Sequence, residues 1–250
     1  MFHLSAFEQS IDPGNALTAI NAVREEQLFV NGVDLRVPEL LPFIIGAACT
    51  INDASLVRAQ VQSPSLRVRT NLDVEPIVQA LVFGSPPEQS LWPETPMPLA
   101  PDEAVNFAVQ SDPAAAAMHR GFIFLSDGPQ TPVTGEIFTI RATAAVTLAT
   151  GNWVNGNLTL GQVLPAGRYQ VVGMRARGTN LVAARLLFSE QVARPGVLAL
   201  NALGDEDPYW TRFGRMGVFG EFPNTIPPTV DCLGVTDTAQ TFLLDLIRVS

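Results

Sequence analysis

The chain contains no lysine, because all 15 of its basic residues are arginine. This absence excludes a lysine Schiff base and a phosphate-binding loop with its lysine. Only two histidines occur, His3 and His119, and the chain has no GxSxG, GxGxxG or HExxH motif. A Ser-His-Asp site would need one of these histidines, yet His119 is predicted to be a surface or capping residue at a helix end. The sequence therefore predicts a protein that is not an enzyme.

Charge is also scarce. Charged residues make up 16% of the chain, and acidic residues exceed basic ones so that the formal net charge is −9. Without a basic stripe or tail, direct contact with nucleic acid is not expected. Hydrophobic residues make up 47%, which predicts a substantial folded core. A surface with so little charge suggests that other subunits cover part of it.

The chain has only two cysteines, Cys49 and Cys232, which are far apart and flanked by apolar residues. Two buried thiols are the favoured interpretation and a disulfide is the alternative. No Cys/His cluster occurs, so a structural zinc site is not expected. The N-terminal residues lack the pattern of a signal peptide, and no apolar run approaches 18 residues. We therefore expect a soluble protein without a cleaved leader.

Short strand-like runs separated by turn residues dominate the middle of the chain. The runs are Gly121–Leu125, Glu136–Ala142, Ala145–Leu148, Asn157–Leu160, Arg168–Met174 and Leu181–Phe188. The turns between them are rich in Gly, Pro and Asn, as in Asn155-Gly156. This spacing predicts an antiparallel sandwich or barrel. Further strands are expected at Val197–Leu200, Met216–Phe222, Thr229–Leu233 and Thr241–Val249, the last of them buried on both faces.

A proline-rich segment divides the chain. Six prolines fall between Ser85 and Pro101, which predicts an extended connector over residues 85–113. We expect an N-terminal β-sandwich over residues 1–84 plus part of the connector, and a C-terminal β-sandwich over residues 114–250. The strand count favours an all-β protein of two tandem eight-stranded antiparallel sandwiches with short helical insertions.

Several local features refine this expectation. Short helices are predicted at Asn52–Gln60, Asp102–Val109 and Pro113–His119. Asn31-Gly32 predicts a type I′ hairpin turn. A strand is expected at Leu66–Arg69.

The densest acidic run is Asp205-Glu206-Asp207. Three carboxylates on one loop suit Ca²⁺, so this run is a candidate metal site. A solvated acidic loop is the alternative, and it is the favoured interpretation of this turn. No other cofactor is predicted.

Arginines concentrate in the last third of the chain, whereas acidic residues dominate elsewhere. Arginine forks pair well with carboxylates across interfaces, so these residues are candidate contact points for self-assembly. The candidates are Arg168, Arg175, Arg177, Arg185, Arg194, Arg212 and Arg215. Pairing within one molecule is the alternative. The tryptophans and Tyr209 lie in separate segments, which favours packing over a sugar-binding platform.

Five segments carry a resemblance to a known family. They are Pro132–Gly135, Leu164–Arg175, Ala183–Phe188, Arg194–Gly196 and Gly217–Phe222. They look like the C-terminal half of phage-type capsid proteins with jelly-roll folds. The layout of the whole chain resembles the double jelly-roll major capsid proteins of tailless icosahedral viruses.

The resemblance implies a virion structural protein, a major capsid protein that assembles into trimeric capsomers of an icosahedral shell. The implied partners are further copies of the chain in a homotrimer and a capsid lattice, other capsid proteins, and an internal membrane or its proteins. The implied location is the virion, assembled in the host cytoplasm. Two alternatives remain open. One is a carbohydrate- or receptor-binding sandwich that closes with Leu244–Val249, and the other is an enzyme with a metal at Asp205, Glu206 and Asp207.

Overall fold

A computed structural model shows a chain built almost entirely from β-strands. It describes residues 1–51, 56–68, 70–74, 76–78, 90–111, 117–199 and 209–250. The chain forms two compact units. The first unit is Ser5–Pro129, and the second unit combines Met1–Leu4 with Gln130–Ser250. Across the described residues, no helix is long and apolar enough to cross a membrane.

The first unit contains short and long strands in two sheets. Its strands are β1 (Phe2–Ile11, which begins in the second unit), β2 (Thr18–Ile20), β3 (Val30–Asn31), β4 (Asp34–Arg36), β5 (Phe43–Ile51), β6 (Leu56–Gln62), β7 (Leu72–Val74), β8 (Pro76–Val78), β9 (Ser90–Leu91), β10 (Met97–Pro98), β11 (Ala104–Ser111) and β12 (Ala117–Ser126). One sheet has the order β1-β12-β5-β10, with β8 and β9 also paired to β5. The other has the order β3-β4-β11-β6-β7, with β2 also paired to β11.

Aromatic rings between these two sheets form the core of the first unit. The rings of Phe7 on β1 and Phe107 on β11 lie 5.7 Å apart, and both are fully buried. Gly121 on β12 faces Phe107 so closely that a Cβ atom there would lie 2.3 Å from the ring. The sheets therefore face each other across a close-packed interior.

The second unit also contains two sheets. Its further strands are β13 (Phe138–Ala144), β14 (Val154–Asn157), β15 (Thr159–Leu160), β16 (Arg168–Arg177), β17 (Leu181–Leu187), β18 (Gly196–Leu198), β19 (Gly220–Pro223), β20 (Thr229–Gly234) and β21 (Gln240–Arg248). The five-stranded sheet has the order β15-β13-β21-β16-β19, and the four-stranded sheet has the order β14-β20-β17-β18.

Burial alternates along β13 and the first part of β21, as expected for a sheet with one buried face, whereas β17 and β20 are buried almost throughout. On β13, Ile140 and Ala142 are buried whereas Arg141 is exposed. On β21, Phe242 and Leu244 are buried and Leu243 is only partly so. The prediction that β21 is buried on both faces is therefore wrong, because Leu243 and Thr241 lie on a partly exposed face.

The two units repeat one strand order. We number eight strands along each unit: β1, β4, β5, β6, β7, β10, β11 and β12 in the first, and β13, β14, β16, β17, β18, β19, β20 and β21 in the second. In both units one sheet then reads 1-8-3-6 and the other reads 2-7-4-5. No sequence repeat accompanies this repeated order.

The prediction of an all-β protein is confirmed. The runs predicted at Arg168–Met174, Leu181–Phe188, Thr229–Leu233 and Thr241–Val249 correspond to β16, β17, β20 and β21. Every strand pairing with a described register is antiparallel except that of β5 with β8.

The predicted helices are wrong wherever the structure describes them. Asp102–Val109 falls largely on β11, which pairs with β4 and β6 on its two edges. Residues 56–60 of the helix predicted at Asn52–Gln60 lie in β6, and residues 52–55 lie outside the described part. His119 is buried in β12, not exposed at a helix end, and residues 113–116 of that predicted helix are outside the described part.

One helix appears where a strand was expected at Leu66–Arg69. Helix α1 spans Pro64–Arg67, and the Ser63 hydroxyl accepts a hydrogen bond from the Leu66 N–H at 3.1 Å. A serine N-cap followed by proline at the first helical position is a recognised start signal. The strand prediction overlooked this signal.

The hairpin at Asn31-Gly32 is confirmed, but its turn type is not. Asn31 pairs with Asp34, so Gly32 and Val33 are the two turn residues. Gly32 has a φ of 63°, whereas Val33 is not among the residues with positive φ. A type I′ turn needs positive φ at both positions and is therefore excluded.

The proline-rich stretch does not separate the units. The described part of the predicted connector, residues 90–111, contributes β9, β10 and β11 to the first unit. Strand β12, which was expected in the C-terminal sandwich, also belongs to the first unit. The compact units thus meet in sequence at Pro129 and Gln130, whereas the predicted boundary was at residues 113 and 114.

Candidate functional site

Arg168, the first candidate contact residue, is partly exposed on β16. Its Nε donates to Glu221 Oε1 at 2.5 Å, and its guanidinium lies 3.4 Å from Glu190 Oε2. The hydrogen bond that Arg168 donates to Glu221 raises the pKa of Arg168 and outweighs desolvation, which lowers it. An exposed pair of this kind contributes little to stability, since solvent screens it.

Two candidates, Arg185 and Arg212, are buried and not on the surface of their unit. Arg185 on β17 is fully buried, and the relative solvent exposure of Arg212 is only 3%. Each pairs with a carboxylate of its own unit, Asp231 and Asp245 respectively. The prediction that these two side chains are surface contact points is therefore wrong. The sequence alternative, pairing within the molecule, describes them correctly.

Arg185 is the centre of a polar cluster inside the second unit. Its Nε donates to Asp231 Oδ2 at 3.0 Å, and Arg194 donates to the same oxygen at 2.7 Å. Arg185 Nη1 donates to the Leu4 carbonyl at 3.1 Å and lies 3.4 Å from His3 Nε2. The backbone N–H of Arg194 donates to His3 Nδ1 at 3.0 Å.

This cluster fixes the N-terminal residues onto the second unit. Two arginines share the carboxylate of Asp231, whose other oxygen accepts from Asn155 at 3.0 Å. The Arg185 guanidinium also stacks on the Trp153 ring, 4.2 Å from its centroid. Buried charges need pairing of this kind. His3 and Arg194 thus have structural roles in the described contacts.

Arg212 and Asp245 form a bidentate pair at the five-stranded sheet. Arg212 Nε and Nη2 donate to the two Asp245 oxygens at 2.7 and 2.9 Å. Thr139 and the Phe213 N–H also donate to this carboxylate. Burial alone would raise the pKa of Asp245, but these hydrogen bonds and the charge of Arg212 outweigh it, so the pKa lies below its ordinary value.

Arg175 and Arg177 owe their outward direction to a β-bulge in β16. Val171 pairs with Leu246, but the next pair on β21 joins Gly173 to Asp245. Without the extra residue Val172, Arg175 would stand opposite buried Phe242 and point into the core. With the bulge, Arg175 pairs with Leu243 and Arg177 with Thr241.

Arg141 on β13 lies on the same face of the sheet as Arg175 and Arg177. It pairs with Leu243 from the other side, so Arg141, Leu243 and Arg175 form one row across three strands. Thr143, Thr241 and Arg177 form the next row. We call these six residues the arginine face. A shallow pocket of about 230 Å³ lies on it.

The sequence candidates did not include Arg141. The alternation of Ile140, Arg141 and Ala142 was a usable signal, because it places Arg141 opposite the buried face of its strand.

Arg215, the last candidate, lies in an aromatic loop. Its guanidinium is 3.6 Å from the centroid of the Tyr209 ring, and its Nη1 donates to the Tyr209 carbonyl at 2.8 Å. The Tyr209 and Trp210 rings meet edge to face at 5.1 Å. Tyr209 is 61% exposed and Phe213 is 49% exposed. The loop therefore presents neighbouring aromatic residues and a cation to solvent.

A pocket of about 710 Å³ lies in the first unit, between α1, β7 and β10. Its walls include Leu66, Val68 and Met97, with Asn71 and Asp73 among its polar residues. Asp73 is already paired with Arg58. Ser65 also lines the pocket, and its hydroxyl donates to Glu103 Oε2 at 2.8 Å.

For the remaining candidates, the acidic run and the two cysteines, the described residues show no functional chemistry. The proposed calcium ligands Asp205, Glu206 and Asp207 lie outside the described residues. Within the described part, no group of three His, Cys, Asp or Glu residues is placed to hold a metal ion. The prediction of two buried thiols is confirmed for Cys49 and Cys232, whose pKa values burial raises well above the ordinary range.

No protein-family model matches the chain, and no curated protein sequence or solved structure matches it either.

Proposed function

We propose that each unit is a jelly roll. In a jelly roll, an eight-stranded hairpin ribbon pairs strand 1 with 8, 2 with 7, 3 with 6 and 4 with 5, and then wraps into two sheets. The orders 1-8-3-6 and 2-7-4-5 are those that such wrapping produces, and both units have them. The repeated order supports two tandem jelly rolls within one chain.

From this fold we infer a structural role in a virion, as a major capsid protein that forms trimeric capsomers of an icosahedral shell. The single observation that carries this proposal is the repeated strand order, since jelly rolls are recurrent in viral capsid proteins. A trimer of a chain with two jelly rolls contains six jelly rolls, and six similar domains suit a position of sixfold symmetry in a closed shell. The role is assembly rather than catalysis.

The proposed partners follow from assembly and charge. They are further copies of the chain, other capsid proteins, and an internal membrane or its proteins. A chain with a net charge of −9 is poorly suited to packing against nucleic acid, so other components would contact the genome. The proposed location is the virion, after assembly in the host cytoplasm.

Light scattering coupled to gel filtration tests this proposal on the full chain. We expect a trimer of about 81 kDa, three times the chain mass of 26.9 kDa. Negative-stain images should show compact particles with three- or sixfold outlines. A stable monomer at every concentration and salt condition would contradict the proposal.

The aromatic loop favours a second candidate function, a carbohydrate- or receptor-binding module. Jelly rolls also occur in lectins, and exposed rings stack on sugars. The relevant residues are Tyr209, Trp210 and Arg215. Glycan-array binding that is lost in Tyr209→Ala but retained in Val163→Ala, which changes an exposed residue outside the loop, would support this candidate. A wild-type protein that binds no glycan would exclude carbohydrate recognition.

A further inference from the structure

Two Asn-Gly pairs occur in the chain, and they lie in different surroundings. Asn31-Gly32 belongs to the hairpin of β3 and β4 in the first unit, and Asn155-Gly156 belongs to β14 in the second unit. No other asparagine of the sequence precedes a glycine. Asparagine before glycine is prone to deamidation, because glycine has no side chain to hinder attack by its own backbone nitrogen. The two pairs therefore expose one reaction to two different settings.

The side-chain amide of Asn31 is free to react. Asn31 is exposed, and its side chain forms no hydrogen bond with any described residue. Gly32 is also exposed, has a φ of 63°, and would place a Cβ atom in open space. Its carbonyl accepts from the Ala22 N–H at 2.9 Å, whereas its own N–H has no acceptor within the described part of the chain. The nitrogen that attacks and the carbon that it attacks are therefore both unobstructed.

The side-chain amide of Asn155, in contrast, is held in place. Its nitrogen donates to Asp231 Oδ1 at 3.0 Å and to Thr229 Oγ1 at 3.2 Å. The backbone is also fixed, because Asn155 and Gly156 pair with consecutive residues of β20. Ring closure at this pair requires the side-chain hydrogen bonds to break and the strand to leave its ladder. The fold is therefore expected to protect Asn155.

We propose that Asn31 is a site of spontaneous deamidation and that the folded protein protects Asn155. The Gly32 nitrogen loses its proton and bonds to Cγ of Asn31, while the Cγ–Nδ2 bond breaks and the amide nitrogen leaves with a proton as ammonia. The product is a cyclic succinimide. Water then adds to one of the two ring carbonyl carbons and breaks the bond from that carbon to the ring nitrogen. Addition at the side-chain carbon gives aspartate at position 31, and addition at the backbone carbon gives isoaspartate.

Either product changes the hairpin of β3 and β4. Both products carry a carboxylate where Asn31 was neutral, and position 31 pairs directly with Asp34. Like charges at directly opposed positions of a sheet repel. Isoaspartate also adds a carbon atom to the main chain, which disturbs the pairing register. Since β3 is at the end of its sheet, the loss of pairing is expected to stay within this hairpin. The reaction needs only the chain and water, so it is independent of the proposed function.

Peptide mapping by mass spectrometry tests the site on the full wild-type chain, with Asn155 as the internal control. The protein is incubated in native neutral buffer and, in parallel, in urea, and the peptides that contain positions 31 and 155 are followed over time. In native buffer we expect Asn31 to deamidate roughly tenfold faster than Asn155 or more, because the hydrogen bonds at Asn155 must first break. In urea the two rates should become similar, since the fold no longer holds Asn155.

Two further measurements identify the reaction and its effect. The Gly32 nitrogen must lose its proton before it attacks, so the rate at Asn31 should rise with pH. Asn31→Asp reproduces the added charge, and Asn31→Gln is the neutral control. In Asn31→Asp we expect the Arg36 N–H, which bonds to the Phe29 carbonyl across the hairpin, to exchange with solvent up to about fivefold faster than in Asn31→Gln.

Each other result overturns a named part of the proposal. An unmodified Asn31 in native buffer, together with conversion in urea, would show that the hairpin protects this residue. Equal rates at the two positions in native buffer would overturn the protection of Asn155 by its hydrogen bonds. A rate at Asn31 that does not rise with pH would overturn the succinimide route. Equal exchange of the Arg36 N–H in the two variants would overturn the effect on the hairpin.

Discussion

Two Arg–Asp pairs in this protein have the same bidentate geometry in opposite environments. Arg212 and Asp245 are buried, with 3% and 0% side-chain exposure. Arg58 and Asp73 retain 45% and 62%. Water screens the exposed pair, whereas the buried pair has replaced its water by protein hydrogen bonds. The same two residue types therefore contribute differently to the free energy of unfolding, because one pair is buried and the other is exposed to water.

The substitution Asp245→Asn should destabilise the second unit by about 3 to 5 kcal/mol, because it leaves the buried Arg212 charge uncompensated. Urea unfolding at pH 7 measures the change. Asp73→Asn is the matched control and should cost about 1 kcal/mol or less. Equal effects in the two variants would contradict the assigned difference in environment.

The same pair predicts how stability depends on pH. The folded-state pKa of Asp245 lies below its unfolded value of about 4, so its contribution is fully present above that pH. It is lost as the pH falls through the folded-state pKa. Wild-type stability should therefore fall more steeply below pH 4 than that of Asp245→Asn. Parallel acid unfolding curves for the two proteins would contradict the assignment.

At the scale of elements, the pairing of strands in a sheet determines secondary structure more strongly than the helix or strand propensity of the local sequence. Strand β11 was predicted as a helix from Asp102, yet it lies between β4 and β6 and buries Val105, Phe107 and Val109. Alternating burial was readable in its sequence. The competing helix signal came from the acidic start of the segment, and tertiary pairing overrode it.

Gly121 tests this packing directly. A Cβ atom at position 121 would lie 2.3 Å from the Phe107 ring, so Gly121→Ala should destabilise the first unit by about 1 to 3 kcal/mol. Thermal unfolding measures the loss. In Gly121→Ala/Phe107→Leu the smaller side chain makes room, so the two substitutions should be less harmful together than their sum.

Gly135→Ala provides the control for this substitution. Its nearest neighbour would be the flexible tip of Ile247 at 3.1 Å, which can move. Additive losses in the double variant at positions 107 and 121 would show that the ring and the glycine are not coupled.

At the scale of the whole molecule, the second unit is discontinuous in sequence. Met1–Leu4 belongs to it together with Gln130–Ser250. Phe2 is buried edge to face against Phe219 at 4.8 Å, and the Leu4 N–H donates to the Arg194 carbonyl at 3.0 Å. Nothing in the local sequence indicated this assignment, because it depends on contacts with residues far along the chain.

Leu4→Ala should therefore destabilise the second unit, although residue 4 precedes the whole of the first unit in sequence. Leu4 is fully buried, and its truncation should cost about 2 to 5 kcal/mol. Ile226→Ala removes a similar side chain that is 57% exposed and should change stability by about 0.5 kcal/mol or less. Calorimetry compares the two, and equal melting temperatures would contradict the structural role of the N-terminal residues.

The sequence by itself determined the all-β class, the buried thiols and most strands of the second unit. Alternating side chains and turn residues act locally, so they can be read from the order of residues. The sequence also shows that arginines concentrate in the last third of the chain, and this pattern was sufficient to predict Arg175 and Arg177 as candidate contact residues.

Only the tertiary structure decided which arginines are accessible. The bulge at Val172 turned Arg175 and Arg177 outward, and strand pairing added Arg141 beside them. Burial removed Arg185 and Arg212 from the surface. The strand order common to both units also arose from pairings distant in sequence. Pairing joins strands that are distant in sequence, so it cannot be read from any one segment, and a one-residue shift in register moves every side chain to the other face.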